Sequence, residues 1–450
     1  MRDFKIMFLL AALFFLVSVS FGFADEISDL RKQMIDMQYK METMQKKIDA
    51  LEAKGKTVRA SETTELPKTA VEKIAKIEED VAYLQQQNND ALGKLKDMLK
   101  VNLYTTLEFE HFQRRHSQFD ARNVELLIRG QLTDRLKSFA EIEYERTAQT
   151  SAGSRQGEVE VEQGWIEYAI NQYLNLRGGV ILVPFGKYNL QHFDPFQELT
   201  DRPIAMRRVV PVTWAEAGAG FSGQAFLGKN LGTSLLSNLN LNYQLFVVNG
   251  LTNEITDRGL RDASGAFGSD TNNNKAVVGR LGISPFSGTE IGLSGYAGVY
   301  DTKGHRINGL DTDFDISKGP FQLLGEYAIF TLDENGLESD NATLVPKRLA
   351  GGYIQANYRF WFERLNKTFL GRGFENPTFT AVLSYGQADI ADDGDAGTGS
   401  NREDRWTIGL NYRPIETYVF KLEYQFNKTK SEALEYGDSN GVVASVTAAF

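Results

Sequence analysis

The sequence predicts an all-β fold, a 16-stranded antiparallel transmembrane β-barrel, preceded by an N-terminal α-helical coiled coil. Three observations predict it. From residue 101 to 450, apolar and polar side chains alternate with a period of two. The connections between these runs alternate between short and long. Ahead of them, apolar residues recur at heptad spacing.

Composition removes several alternatives. The 450-residue chain has a formal net charge of −10, which argues against nucleic acid as a partner. A mean hydropathy of −0.33 excludes a bundle of apolar membrane helices. The absence of cysteine excludes a disulfide scaffold, a thiolate metal site and a thiol nucleophile. The histidines, His111, His116, His192 and His305, show no metal-ligand spacing. No cofactor and no metal are expected.

At the N-terminus, Arg2 and Lys5 precede an apolar run over 6–19, and the small residues Gly22 and Ala24 follow. This is the pattern of a signal peptide, 1–24, with the mature chain starting at Asp25. Residues 25–100 form the predicted coiled-coil region. Ile27, Leu30, Met34, Met37, Met41, Met44, Ile48 and Leu51 step by 3 and 4 in turn. That stripe is narrower than a globular core requires. A linker over 54–70, with Gly55 and Pro67, precedes a second seam from Ile74 to Met98. Asn88 occupies a position in it where a buried amide sets register. Two such segments imply a homo-oligomer.

The barrel occupies 101–450. Tyr418, Phe420, Leu422, Tyr424 and Phe426 oppose Val419, Lys421, Glu423, Gln425 and Asn427. An apolar face with aromatic ends suits lipid, and a densely charged face suits a water-filled lumen. Closure of the sheet satisfies every backbone group without an apolar helix. Strands are predicted to begin near 101, 120, 134, 157, 173, 213, 238, 274, 289, 305, 319, 346, 376, 403, 416 and 440. The segments 228–237 and 362–375 are long for the short-turn side and suggest a shifted strand boundary. An even strand count places both barrel ends on the short-turn, periplasmic side, with the coiled coil. The alternating run Val442, Ala444, Val446, Ala448, Phe450 ends on an aromatic, the signal read by the barrel-assembly machinery.

Two runs carry a resemblance: Leu176-Arg177-Gly178-Gly179-Val180-Ile181-Leu182-Val183-Pro184-Phe185-Gly186 and Gly319-Pro320-Phe321-Gln322-Leu323-Leu324-Gly325-Glu326-Tyr327-Ala328. They resemble the strand-to-loop and late-strand segments of bacterial porins, most of all the phosphate-selective porin O/P-like family. The resemblance spans roughly the whole barrel. It implies a trimeric diffusion channel whose third long connection folds inward.

That connection is 186–212, 27 residues long. Loops of this length are commonly functional. Its Lys187, His192, Asp194, Glu198, Asp201, Arg202, Arg207 and Arg208 would set pore size and field if it enters the lumen. Strand parity places Glu108, Arg129, Glu141, Glu143, Arg177, Arg280, Arg359, Arg405 and Lys421 on the lumen face. A phosphate-selective pore calls for rows of Arg and Lys. Here the basic residues are scattered and the first four strands are acidic, which departs from such a ladder. In the fourth strand Glu162 and Glu167 differ in parity, which calls for a bulge.

Glu141, Glu143 and Glu145 line one wall with nothing to mark an active-site pocket. No catalytic triad or P-loop stands out, so no enzyme activity is expected. The run Asp392-Asp393-Gly394-Asp395 reads as a solvated turn, and Trp165, Trp214, Trp361 and Trp406 read as interfacial anchors. The expected function is passive diffusion of small hydrophilic solutes or ions across the bacterial outer membrane. Expected partners are its lipid bilayer, further copies of the chain (a trimer) and the barrel-assembly machinery. The coiled coil would engage peptidoglycan or a periplasmic partner. A barrel sheathing a porin–cytochrome electron conduit and an envelope tether are the alternatives.

Overall fold

The computed structural model describes residues 98–149, 155–227, 239–255, 259–265, 267–268, 273–333, 345–390, 402–429 and 439–450, and isolated positions between 43 and 93. The chain divides into two compact units, Met1–Leu99 and Lys100–Phe450. In the first, isolated positions such as Thr43, Glu79, Tyr83 and Gly93 are helical. The signal segment, the linker and the rest of both heptad seams lie outside the described residues.

Sixteen strands follow. The first eight are β1 (Leu99–Phe112), β2 (Gln118–Gln131), β3 (Leu136–Gln149), β4 (Arg155–Asn171), β5 (Leu174–Leu182), β6 (Ala215–Phe226), β7 (Asn240–Val248) and β8 (Ala276–Ser284). Then come β9 (Thr289–Val299), β10 (Arg306–Lys318), β11 (Phe321–Leu332), β12 (Arg348–Phe360), β13 (Thr378–Asp389), β14 (Arg402–Ile415), β15 (Tyr418–Thr429) and β16 (Gly441–Ala449). Each begins within two residues of its predicted start. Neighbours in sequence pair around a closed ring, and β1 pairs antiparallel with β16. At that seam the Leu103 and Phe450 backbones exchange hydrogen bonds of 2.8 and 2.9 Å. The Phe450 ring stays exposed.

Alternation sorts the two faces. On β14 and β15, Ile408, Leu410, Phe420 and Leu422 are exposed on the outer face, while Thr407, Asn411, Lys421 and Glu423 are buried inside. β4 breaks the pattern. Glu141 opposes Gln163, but Ile142 opposes Val161, so Glu162 is an extra, bulged residue. Val159 and Val161 face out, whereas Glu162 and its neighbour Gln163 are both buried. The bulge thus lets carboxylates on either side of it face inward.

Three expectations need correction or lie out of reach. The segment between β12 and β13 is a true excursion, holding a 3-10 turn at Glu363–Lys367, rather than a misplaced boundary. Trp361 Nε1 donates to Asn366 Oδ1 at 2.7 Å and pins it. Trp214 is fully buried inside the barrel, and Trp165 lies under the Arg177 guanidinium at 4.0 Å, so neither is an interfacial anchor. The segments 228–237 and 392–395 fall outside the described residues.

The interior is also not uniformly polar. Phe246, Val248, Val278, Tyr296, Phe330 and Tyr353 are buried in one apolar cluster. What they pack against is the connection between β5 and β6. Deleting Glu162 would force one side of β4 to exchange its faces and place carboxylate or valine on the wrong solvent. We expect this deletion to abolish the compact, heat-modifiable form in cold SDS gels, while Glu162→Gln, which keeps the bulge, retains it.

Candidate functional site

The connection 183–214 carries a short helix α1 (Lys187–Leu190), a 3-10 turn (Asp194–Phe196) and a short helix α2 (Ala205–Arg208). Both of its arms are joined by one buried amide. Asn189 Nδ2 donates to the carbonyls of Val183 and Trp214 at 2.8 and 2.9 Å, and Trp214 N donates to Asn189 Oδ1 at 2.8 Å. The connection then runs through the interior, as its contacts with inward side chains around the ring require.

One flank is apolar. Val183, Phe185, Ile204, Met206, Val209 and Trp214 join the cluster on β7 to β12. Each large side chain so buried contributes about 1.5–3 kcal/mol. The other flank is charged. Asp194 Oδ2 accepts from Thr106 on β1 at 3.0 Å and from Asn123 on β2 at 3.3 Å. Lys421 Nζ on β15 donates to the carbonyl of Asp194 at 2.9 Å. Glu198 accepts from Asn411 at 2.8 Å and pairs with Arg413 at 3.2 Å on β14, and Arg359 on β12 lies 3.5 Å away. Asp201 meets Arg405 at 3.2 Å and Gln425 at 2.8 Å. Arg208 pairs with Glu403 at 3.0 Å. Across the ring, Lys187 pairs with Asp315 on β10 at 3.1 Å, and Tyr188 N donates to Glu326 on β11 at 2.9 Å.

Two of the loop's charged residues turn toward the loop itself. Arg202 bonds to the carbonyl of Val212 and to Thr213 Oγ1, and Arg207, a quarter exposed, lies 3.9 Å from Asp201. On the walls, Arg177 grips Glu167 with bonds of 3.0 and 2.6 Å, and Arg280 grips Asp313 at 2.7 Å and Glu290 at 2.8 Å. Glu108 pairs with Arg122 at 3.3 Å, and Arg129 lies over the Phe139 ring at 5.8 Å. Glu141 and Glu143 are buried on β3. A cavity of about 300 Å³ remains between the loop, near Lys187, Gln191 and Glu198, and the wall at Asp315, Gln355 and Asn357.

Parity alone misses some of this network. Arg122 adjoins the inward Asn123, yet its guanidinium also reaches the loop, donating to the carbonyl of Thr200 at 2.8 Å. Strict alternation puts it outside. Asn189 and Glu326 carry no sequence signal of their roles, because each acts on backbone brought to it by the fold.

Local charge sets the titration of the loop. Burial would push the Asp201 carboxyl up, but Arg405, Arg207 and the Gln425 amide outweigh it and hold it below the usual range. Burial likewise opposes ionisation of Glu198, and Arg413 with Asn411 outweighs it. Burial would lower His192, but Glu162 and Glu141 raise it well above the ordinary histidine range.

A closed 16-stranded barrel enclosing a charged connection is the architecture of a porin-type channel, and it points to the bacterial outer membrane. Residues 102–450 match the family described as phosphate-selective porin O and P, and the chain belongs to that family. An uncharacterized protein of Aquifex aeolicus (strain VF5) is 26% identical over 334 residues, covering 68% of this chain and 70% of that one. Salmonella typhi OmpF, solved in complex with daunomycin, shares the fold at a TM-score of 0.54 and 12% identity, covering 78% of this chain and 97% of its own. The outer-membrane channel DcaP of Acinetobacter baumannii aligns at 0.48 and 11%, covering 79% and 98%. An anion-selective porin from Comamonas acidovorans aligns at 0.47 and 10%, covering 78% and 100%.

Two outcomes follow from the anchoring. Asn189→Ala leaves the Trp214 N–H without a partner, at about 1–3 kcal/mol, and takes one of two donors from each of the Val183 and Trp214 carbonyls. It should make the loop sensitive to protease while the barrel stays heat-modifiable. Because Asp201 is depressed, its stabilising contribution is present above the unfolded value of about 4 and is lost as pH falls through its lower folded value. The gap in thermal stability between wild type and Asp201→Asn should therefore be constant above about pH 4 and close below it.

Proposed function

We propose that this chain is a passive-diffusion channel for small hydrophilic solutes or ions, with 186–212 as its constriction. The observation that carries this reading is a charged loop anchored to opposite walls of one closed ring. Lys187, Asp194, Glu198, Asp201, Arg202, Arg207 and Arg208 would then define the narrowest field, and the cavity beside α1 would form part of the water path.

The solute class follows from the charge pairing. Arg177, Arg280, Arg405 and Arg413 each already hold a carboxylate. A phosphate would have to displace those partners, so a mixed field suited to varied small solutes is the better fit. Occupation of the interior by the loop counts against a sheath around a redox partner.

The remaining parts of the reading rest on sequence. Residues 1–24 direct export, 25–100 form a periplasmic coiled coil, and the heptad seams join copies of the chain as a trimer. Phe450 at the β1–β16 seam serves as the assembly signal.

Planar-bilayer recording under a KCl gradient tests the channel. Conductance in steps of three supports an open trimer, and a silent membrane holding folded protein overturns the proposal. Arg207→Glu should move the reversal potential toward cations, and less so as salt rises, since the Debye length is ~10 Å at 0.1 M. An unchanged potential would remove the loop from the permeation path.

A further inference from the structure

One convergence of side chains has no part in diffusion. Glu125 on β2, Glu141 on β3, the bulged Glu162 on β4 and His192 on the loop each present one ligand atom, and these atoms lie within 4.8 Å of one another. The four residues are 3, 0, 5 and 2% exposed. The sequence gives no hint of this, since the ligands come from four separate segments.

Each of the four has its second polar atom pinned. His192 Nδ1 lies 3.2 Å from the carbonyl of Asn189, and Glu141 Oε2 accepts from Gln163 Nε2 at 2.6 Å. Glu125 Oε1 accepts from Asn123 Nδ2 at 2.8 Å, and Glu162 Oε1 accepts from Thr213 Oγ1 at 2.7 Å. In His192, Glu141 and Glu162 the other atom faces the shared centre. His192 Nε2 lies 2.9 Å from Glu162 Oε2 and 3.4 Å from Glu141 Oε1. Glu125 Oε2 is buried and has no hydrogen-bond partner among the described residues.

We propose that Glu125, Glu141, Glu162 and His192 bind a divalent transition-metal ion, which ties the loop to β2, β3 and β4. Three carboxylates meet one imidazole here, with Arg202 a further hydrogen bond away through Thr213, and a dipositive ion would place positive charge at their centre. A tetrahedral site with bonds of about 2.1 Å has ligand atoms roughly 3.4 Å apart. The His192–Glu141 separation already meets that spacing, while the His192–Glu162 pair at 2.9 Å would open and any wider pair, at most 4.8 Å apart, would close onto the ion. Donation from Nδ1 to a carbonyl is the arrangement that leaves Nε2 to face a metal. One imidazole among carboxylates favours zinc-like ions over calcium or magnesium, which seek six or more oxygens. On binding, the proton on His192 Nε2 leaves for solvent as the metal–nitrogen bond forms, with no change of oxidation state. Glu143 adjoins the cluster through Asn123 at 3.2 Å, and Arg202 through Thr213 at 3.2 Å.

Tag-free, full-length folded protein stripped with chelator and titrated with Zn²⁺ by calorimetry tests this without requiring an open pore. The expected result is one ion per chain, with a heat that varies with the ionisation enthalpy of the buffer. Glu141→Gln and His192→Ala should each weaken binding at least tenfold, while Asp120→Asn, near the start of β2 and outside the four-residue group, leaves it unchanged. Absence of saturable binding, or affinity indifferent to both ligand variants, overturns the site. If the variants do not fold, Co²⁺ on wild type decides. An intense tetrahedral ligand-field band is expected, and a spectrum like that of the hydrated ion overturns the proposal.

Discussion

Everything in this molecule depends on the pairing of β1 with β16. Closing the ring removes the last unpaired edge, so the backbone is satisfied and each side chain is committed to lipid or to the interior. A ring of this size encloses more space than its own inward side chains can fill. The β5–β6 connection takes up that space, and its composition matches the wall it meets.

The two flanks of that connection are held by different physics. Against β7 to β12, apolar burial holds Phe185, Met206 and Trp214. Against β1, β2, β14 and β15 the loop makes paired charges and amide contacts, with the Phe193 ring edge-on to Tyr104 at 6.3 Å. Buried ion pairs add little net stability, but breaking one leaves a costly unpaired charge. The charged flank therefore fixes where the loop sits more than how firmly. Asn189 joins the two arms of the connection, binding Val183 and Trp214 at the point where they diverge.

This division also shapes the electrostatics. Asp194, Glu198 and Asp201 each draw a cation from a strand wall, so the loop's acids are compensated. Around His192 the balance fails, because three glutamates converge on a single imidazole. The excess arises from the β4 bulge, which turns Glu162 inward beside Gln163. A local irregularity of one strand thus adds a third carboxylate to the group around His192.

Much of this architecture could be read from residue order. The strands from Leu99 to Ala449, the inward parity of Glu108, Arg177, Arg280 and Lys421, and the special length of 186–212 follow from local periodicity, which chain sterics impose residue by residue. The bulge at Glu162 was visible as a parity conflict. Other features were not readable. Parity assigns a face but not a neighbour, so it could not bring Glu125, Glu141, Glu162 and His192 together. It could not show that Trp214 and Phe246 make part of the interior apolar, or that Arg122 reaches the loop beside Asn123. Those relations depend on ring curvature, strand register and the path of one connection, which exist only once the barrel has closed.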